Sequence, residues 1–250
     1  GGAMPLSDVV PVLENFGFVV LEESPTALEG AIHGDMPGHI HDFLLEMKNV
    51  SAGGNGDDDR ITLIENAVAD VLADHAENDA FNQLIVSAGL PLPSIGWIRA
   101  WFRYLRQAGM PYGLPTMVQA LRGAPDVTRA IVNLFITTHN PHALSADDAA
   151  TQRAAISAGL EQVSAIDDDR ILRLLTALVE AVLRTNAFAP AAAAALAFKP
   201  DRAAIPNLPR PLPWREIFVY SARVEGIHLR AGPVARGGLR WSDRRDDFRT

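Results

Sequence analysis

The residues best suited to chemistry lie near the end of the chain, in Ala235-Arg236-Gly237-Gly238-Leu239-Arg240-Trp241-Ser242. Two successive glycines let backbone approach a ligand closely, because neither carries a Cβ. Arg236 and Arg240 flank them with planar guanidinium forks that suit a carboxylate or a phosphate. From Arg230 to Thr250 six arginines stand against three aspartates, so this stretch is basic within a chain of formal charge -8. An anion site is consistent with that pattern, and so is a glycine turn between strands with solvated arginines. A double glycine flanked by arginines is not specific by itself, so the residue types leave both readings open.

The other polar groupings read more simply. His39 and His41 stand at i and i+2, which on a strand puts both on one face, with His33 upstream. Two imidazoles so placed could bind a metal, but a third ligand is unassigned, and a pair of hydrogen-bonded strand histidines is the better reading. Asn55, Asp57, Asp58 and Asp59 resemble a calcium loop only loosely, since no glutamate falls at its closing position. Asp167-Asp168-Asp169 fits helix capping and macrodipole pairing. Trp97, Trp101 and Tyr104 recur at helical spacing and read as core. Serine nucleophile elbows, P-loops and the GxGxxG nucleotide fingerprint are missing. The chain contains no cysteine, which excludes disulfides, thiolate zinc sites and a cysteine nucleophile. No catalytic, cofactor-binding or metal-ligating residue is therefore assigned.

Composition narrows the class. Hydrophobic residues make up 48% and charged residues 21%, the balance of a globular protein. The acidic net charge argues against a broad nucleic-acid or acidic-membrane surface. No apolar stretch approaches the roughly 20 residues that span a bilayer. Gly1-Gly2-Ala3 lacks the charged and apolar regions of a signal peptide. With no disulfides to form, a cytoplasmic location is expected. The chain stops at Thr250 inside a charged, patterned segment, Arg244 to Thr250, which reads as truncation.

Those residues must be positioned by elements of two kinds. Ser7 and Asp8 can cap a helix carrying Val9, Leu13 and Phe16 on one face, and Gly17 suits its end. Phe18–Leu21 and His39–Glu46 read as strands separated by a loop, so residues 4–50 look like part of a small α/β sandwich. Residues 51–59 read as a linker. From Arg60 to Phe188 the helical period dominates: Ile64, Val68, Val71 and Leu72; then Phe81, Leu84 and Ile85; then Trp97, Trp101 and Leu105, opened by Pro93-Ser94 and closed by Gly109. Val127, Ile131, Leu134 and Phe135 come after Pro125. A long helix then runs from Asp167 through Ile171, Leu175, Leu178, Val182 and Leu183. A bundle of about six helices is expected. Propensity makes Ala191–Ala195 helical. Pro200 to Pro213 reads as an extended linker, and beyond Trp214 the period becomes two, with strands over Glu216–Ser221 and Val224–Arg230. The fold class is α+β, predominantly α-helical.

The run Ile217-Phe218-Val219-Tyr220-Ser221-Ala222-Arg223-Val224-Glu225-Gly226-Ile227-His228-Leu229-Arg230, continued by Gly232 to Arg245, resembles the large NAD-specific glutamate dehydrogenases of bacteria. Fainter echoes precede it in that family's order: Pro5 to Val9, Ile40 to Phe43, Glu77 to Asn82 and Leu183 to Asn186. The resemblance implies that residues 4–50 are the end of an ACT-like regulatory module and 60–188 a helical region. It further implies that 189–213 are a proline-rich connection and 214–250 the start of a glutamate-binding catalytic domain. It also implies that Ala191–Phe198 is a strand, against its propensity. Arg236-Gly237-Gly238-Leu239-Arg240 is similar to the Lys-Gly-Gly-(Ile/Leu)-Arg segment of smaller glutamate dehydrogenases, whose lysine binds a carboxylate of glutamate. Arg236 takes that place here, a chemically reasonable substitute, and Gly237, Gly238, Arg240 and Ser242 complete the candidate substrate-binding set.

The function this resemblance implies is that of an NAD-dependent enzyme that deaminates L-glutamate to 2-oxoglutarate and ammonia, homo-oligomeric, with neither nucleic acid nor membrane as partner. The family's catalytic lysine and nucleotide-binding domain lie beyond this sequence, so the chain alone is expected to be inactive. The alternative is a stand-alone regulatory or scaffold module that binds a small amino-acid effector.

Overall fold

The computed structural model describes residues 4–33, 36–47, 57–143, 145–234 and 237–242, with side chains left aside for 29–33, 36–37, 57 and 237–242. It divides into two compact units, Gly1–Leu92 and Pro93–Thr250.

In the first unit, α1 (Leu6–Asn15) buries Val9, Val12 and Leu13, and Phe16 joins them in the core at 0% exposure. Pro5 occupies the cap position and no side chain caps the helix, so Ser7 and Asp8 lie within the first turn rather than ahead of it. Gly17, at φ +93, makes the left-handed turn that ends the helix. It feeds β1 (Phe18–His33), which pairs antiparallel with β2 (Met36–Met47) from Phe18↔Met47 to His33↔Met36. The expected loop between two short strands is instead a continuous ladder with irregular register. A two-stranded ribbon has only edge strands, where Pro25 and Pro37 are tolerated. Beyond it come α2 (Asp57–Leu72), a 3-10 turn at Ala80–Asn82 and α3 (Gln83–Ala88). Ala67 and Val71 are the buried members of α2. Asp79 Oδ1 accepts from the Phe81 N–H at 3.0 Å to start the 3-10 turn, and Gly89, at φ +64, closes α3.

The second unit packs helices and an antiparallel sheet around one helix. α4 (Leu92–Gln107) is buried on nearly every side, from Ser94 and Ile95 to Leu105 and Gln107. Such a helix belongs in the middle of a core. Toward the bundle, Trp101 meets Phe135 edge-on at 5.0 Å, and Trp97 lies 5.2 and 5.3 Å from Phe135 and Phe188. Toward the sheet, Tyr104 stacks edge-on against Phe198 and Phe218 at 5.6 and 5.7 Å. These geometries are favoured for quadrupolar rings. The remaining helices are α5 (Leu114–Gly123), α6 (Pro125–His139), α7 (Ala146–Leu160) and α8 (Ile166–Ala181). Sequence patterning picked out neither α5 nor α7. α7 buries only Ala149, Ile156 and Leu160, too few large apolar residues to make a stripe to read.

Two boundaries differ from the sequence expectation. Ala165 holds the cap position of α8, so Asp167 does not cap it; Asp167, Asp168 and Asp169 form its first turn, where negative charge suits the dipole. The helix also stops at Ala181, and Val182 to Thr185 leave it as β3. Tertiary pairing decides this, because Val182 and Thr185 join the ladder opposite Pro200 and Phe198 of β4 (Leu196–Pro200). The Asn186 side chain locks the return: Nδ2 donates to Ala195 O at 2.9 Å and Oδ1 accepts from Ala197 N at 2.7 Å. The alanine patch makes only a 3-10 turn, Pro190–Ala193, before that strand, which limits the helix expected from propensity. The proline-rich stretch folds onto the unit rather than extending away, with Ile205 and Leu208 buried.

β5 (Arg215–Tyr220), β6 (Glu225–Arg230) and β7 (Gly237–Ser242) complete an all-antiparallel sheet of order β3-β4-β5-β6-β7. Among the described residues, eight helices and two sheets make a helix-rich α+β chain, as the sequence predicts. Among the described residues no helix is long and apolar enough to cross a membrane.

Candidate functional site

The double-glycine segment forms the last strand of this sheet. Gly237 pairs with Arg230, Gly238 with Leu229, Arg240 with Ile227 and Ser242 with Glu225. Four of the five sequence candidates thus share one strand beside β6, placed here by backbone register alone. Arg236 lies outside the described residues.

The strand that receives them is fixed from both ends. Between β5 and β6 the reversal is built on Ser221, whose N–H donates to Val224 O at 2.8 Å and whose Oγ accepts from the N–H groups of Arg223 and Val224 at 3.3 and 3.2 Å. A hydroxyl that mimics backbone in this way favours a turn. At the other end of the pair Trp214 N–H donates to Arg230 O at 2.6 Å.

Polar anchors tie β5 and β6 to α4. Glu225 accepts two hydrogen bonds from Arg103, Nε at 2.7 Å and Nη2 at 2.6 Å, in a fork that leaves the carboxylate side chain 8% exposed. The Tyr104 hydroxyl donates to Glu216 Oε1, and Glu216 is almost wholly buried. Sequence reasoning read Tyr104 as core and did not single out Arg103, Glu216 or Glu225. The available signal was phase: Glu216 alternates with the buried Phe218 and Tyr220, which places a carboxylate on the core side of a strand where it requires a donor.

The other sequence candidates resolve into structural roles. His41 Nδ1 lies 2.7 Å from Glu23 Oε1, and the rings of His39, His41 and Phe43 succeed one another at 6.3 Å along one face of β2. Among the described residues no three His, Asp or Glu side chains cluster as metal ligands. Of the loose calcium-loop resemblance, Asn55 lies outside the described residues and Asp57 to Asp59 begin α2. Asp167 Oδ1 accepts from the Tyr112 hydroxyl at 2.8 Å, and Asp169 pairs with Arg173 one turn on at 2.8 Å. The guanidiniums of Arg170 and Arg173 are held above their usual range by these partners, Tyr112 first for Arg170 and Asp169 for Arg173. Trp101 and Tyr104 are core, at 0% exposure.

The described residues form a long antiparallel ribbon with a helix, a set of packed helices and a sheet whose last strand opens on a glycine pair, and three family models match successive stretches of the chain. The model for the ACT3 domain of glutamate dehydrogenase matches residues 1–59, that for its helical motif 3 matches residues 76–141, and that for the catalytic domain of bacterial NAD-glutamate dehydrogenase matches residues 155–250. The chain belongs to the bacterial NAD-specific glutamate dehydrogenase family. It is 41% identical over 257 residues to the NAD-specific glutamate dehydrogenase of Pseudomonas aeruginosa, and 40% identical to those of Halomonas elongata over 255 and Mycobacterium tuberculosis over 261. These matches cover 99 to 100% of this chain and 16% of each relative's length.

Proposed function

We propose that this chain is the part of an NAD-dependent glutamate dehydrogenase that joins an ACT-like regulatory module to the first glutamate-facing strands. In this reading residues 4–50 are the ACT-like module, 60–188 the helical region, 189–213 the connection, and 214–250 the beginning of the glutamate-binding domain. The observation that carries it is the register of β7 against β6, which sets the glycine pair beside Leu229 and Arg230 on a strand anchored to the core by Glu225. The backbone of Gly237 and Gly238 admits close approach of substrate. Arg236, with Arg240 and Ser242 further along, holds the carboxylates of L-glutamate in register. When bound, NAD would accept the hydride of the glutamate α-carbon, and water would hydrolyse the resulting imine to ammonia and 2-oxoglutarate. No residue of this chain is assigned to the cofactor or to proton transfer. A cytoplasmic homo-oligomer is part of the same reading.

The test is a chimera in which this segment replaces the matching segment of the Pseudomonas relative. Glutamate-dependent NADH formation is expected to persist, and Arg236→Ala within the chimera to raise KM for glutamate by at least about tenfold with KM for NAD unchanged. An Arg236→Ala chimera with unaltered glutamate kinetics overturns the assignment.

The ACT3 match over residues 1–59 favours a second role, sensing of a small amino-acid effector. An effector at a hundredfold excess over its Kd stabilises its domain by about 2.7 kcal/mol. A panel of amino acids that leaves the unfolding of residues 4–50 unmoved removes this role.

A further inference from the structure

The face of the sheet away from α4 carries cationic chemistry. Glu216 and Phe218 turn toward Tyr104, so alternation puts Arg215 and Ile217 on the opposite side. Register adds His228 opposite Ile217, Arg230 opposite Arg215, and Lys199 next to Phe198 on β4. With Trp214 these residues line a pocket of about 310 Å³. That volume suits a small ligand. The carboxylate bordering it, Glu216, is committed to Tyr104.

Among the described residues its cations are held without an ion-pair partner. The Arg215 guanidinium lies 4.2 Å and that of Arg230 5.5 Å from the Trp214 ring centre. Arg215 Nη1 donates to Trp214 O at 2.8 Å, and Arg202 Nη1 donates to the same carbonyl at 2.5 Å. Arg230 Nη2 donates to Pro233 O at 3.0 Å, while its Nε is buried with no partner among the described residues. Among those residues no carboxylate forms an ion pair with Lys199, Arg215 or Arg230. Held cations that lack a counter-charge, in a concave site with a buried unused donor, have the makings of an anion site.

We propose that this pocket binds a small oxyanion of two or more negative charges, held by Lys199, Arg215 and Arg230 beside Trp214. A phosphate and a dicarboxylate share that chemistry. The site is inferred from this face of the sheet and does not depend on the dehydrogenase reading.

Calorimetric titration of the chain at 0.15 M salt with inorganic phosphate, and separately with succinate, tests it. One-to-one saturable binding of at least one probe is expected, and the tighter of the two identifies the source. Lys199→Gln and Arg215→Gln are each expected to weaken it by about tenfold or more, the scale of one charged hydrogen bond. The Lys199 side chain makes no hydrogen bond or ion pair among the described residues, so its variant reports binding even where Arg215→Gln perturbs the fold. Arg153→Gln, at an exposed position on α7, is expected to leave the affinity unchanged. The fluorescence change on binding is expected to vanish in Trp214→Phe. Absence of saturable binding by both probes overturns the proposal. So does wild-type affinity in Lys199→Gln, or an equal loss in Arg153→Gln.

Discussion

Arg103 on α4 and Glu225 on β6, 122 residues apart in sequence, meet in a two-pronged ion pair at 2.7 and 2.6 Å. Both side chains are mostly shielded, at 18% and 8% exposure. Deleting Arg103 leaves the Glu225 carboxylate shielded without its guanidinium, and Arg103→Ala is expected to cost about 3 kcal/mol. Arg103→Met with Glu225→Met is expected to cost less than the sum of the single changes. Urea unfolding of the four proteins checks this, and additive losses would remove the coupling.

Tyr104 and Glu216 form the second anchor between the same helix and β5. Tyr104→Phe keeps the ring against Phe198 and Phe218 but deprives a buried carboxylate of a donor. A loss of about 1–3 kcal/mol is expected. The same measurement on Tyr104→Phe/Glu216→Leu is expected to recover part of it, since the buried carboxylate deprived of its tyrosine donor is then gone.

Much of this unit was legible from periodicity: the tryptophan helix, the helix after Pro125, and the two strands after Trp214. Apart from α5 and α7, what could not be read shares a cause, which is that distant pairing decided the outcome. Val182 and Leu183 continue the apolar stripe of α8, yet the ladder with β4 takes them into β3. The glycine pair was legible as a motif, but its register against Arg230 was not, and neither were Arg103 and Glu225, because a lone charge in a pattern does not name its partner.

Gly159 on α7 illustrates a contact that composition hides. A Cβ built there would lie 2.4 Å from Val127 Cγ2 on α6, so the missing methyl is what lets the two helices approach. In an isolated helix Gly→Ala gains about 1 kcal/mol. Here overpacking costs about 1–3 kcal/mol, and Gly159→Ala is expected to be net destabilising. Adding Val127→Ala is expected to relieve the clash, seen as a favourable coupling in a double-mutant cycle by thermal unfolding. A more stable Gly159→Ala protein would contradict the close approach.

His139, in the last turn of α6, gives the fold a pH dependence of defined sign. Its ring lies 5.0 Å from Phe135, and its Nε2 is buried with no partner among the described residues. Burial holds its pKa below the ordinary value of 6.5, because the imidazolium would be poorly solvated there. The unfolded chain therefore binds a proton at this residue at higher pH than the folded one does. Its contribution is complete above about pH 6.5 and is lost as pH falls below that value toward the folded pKa. His139→Phe, which keeps a ring beside Phe135 and cannot titrate, is expected to flatten the fall in stability between about pH 6.5 and 5. Urea midpoints taken across that window for both proteins measure the difference. Parallel pH profiles would show that His139 ionises as freely in the folded chain as in the unfolded one.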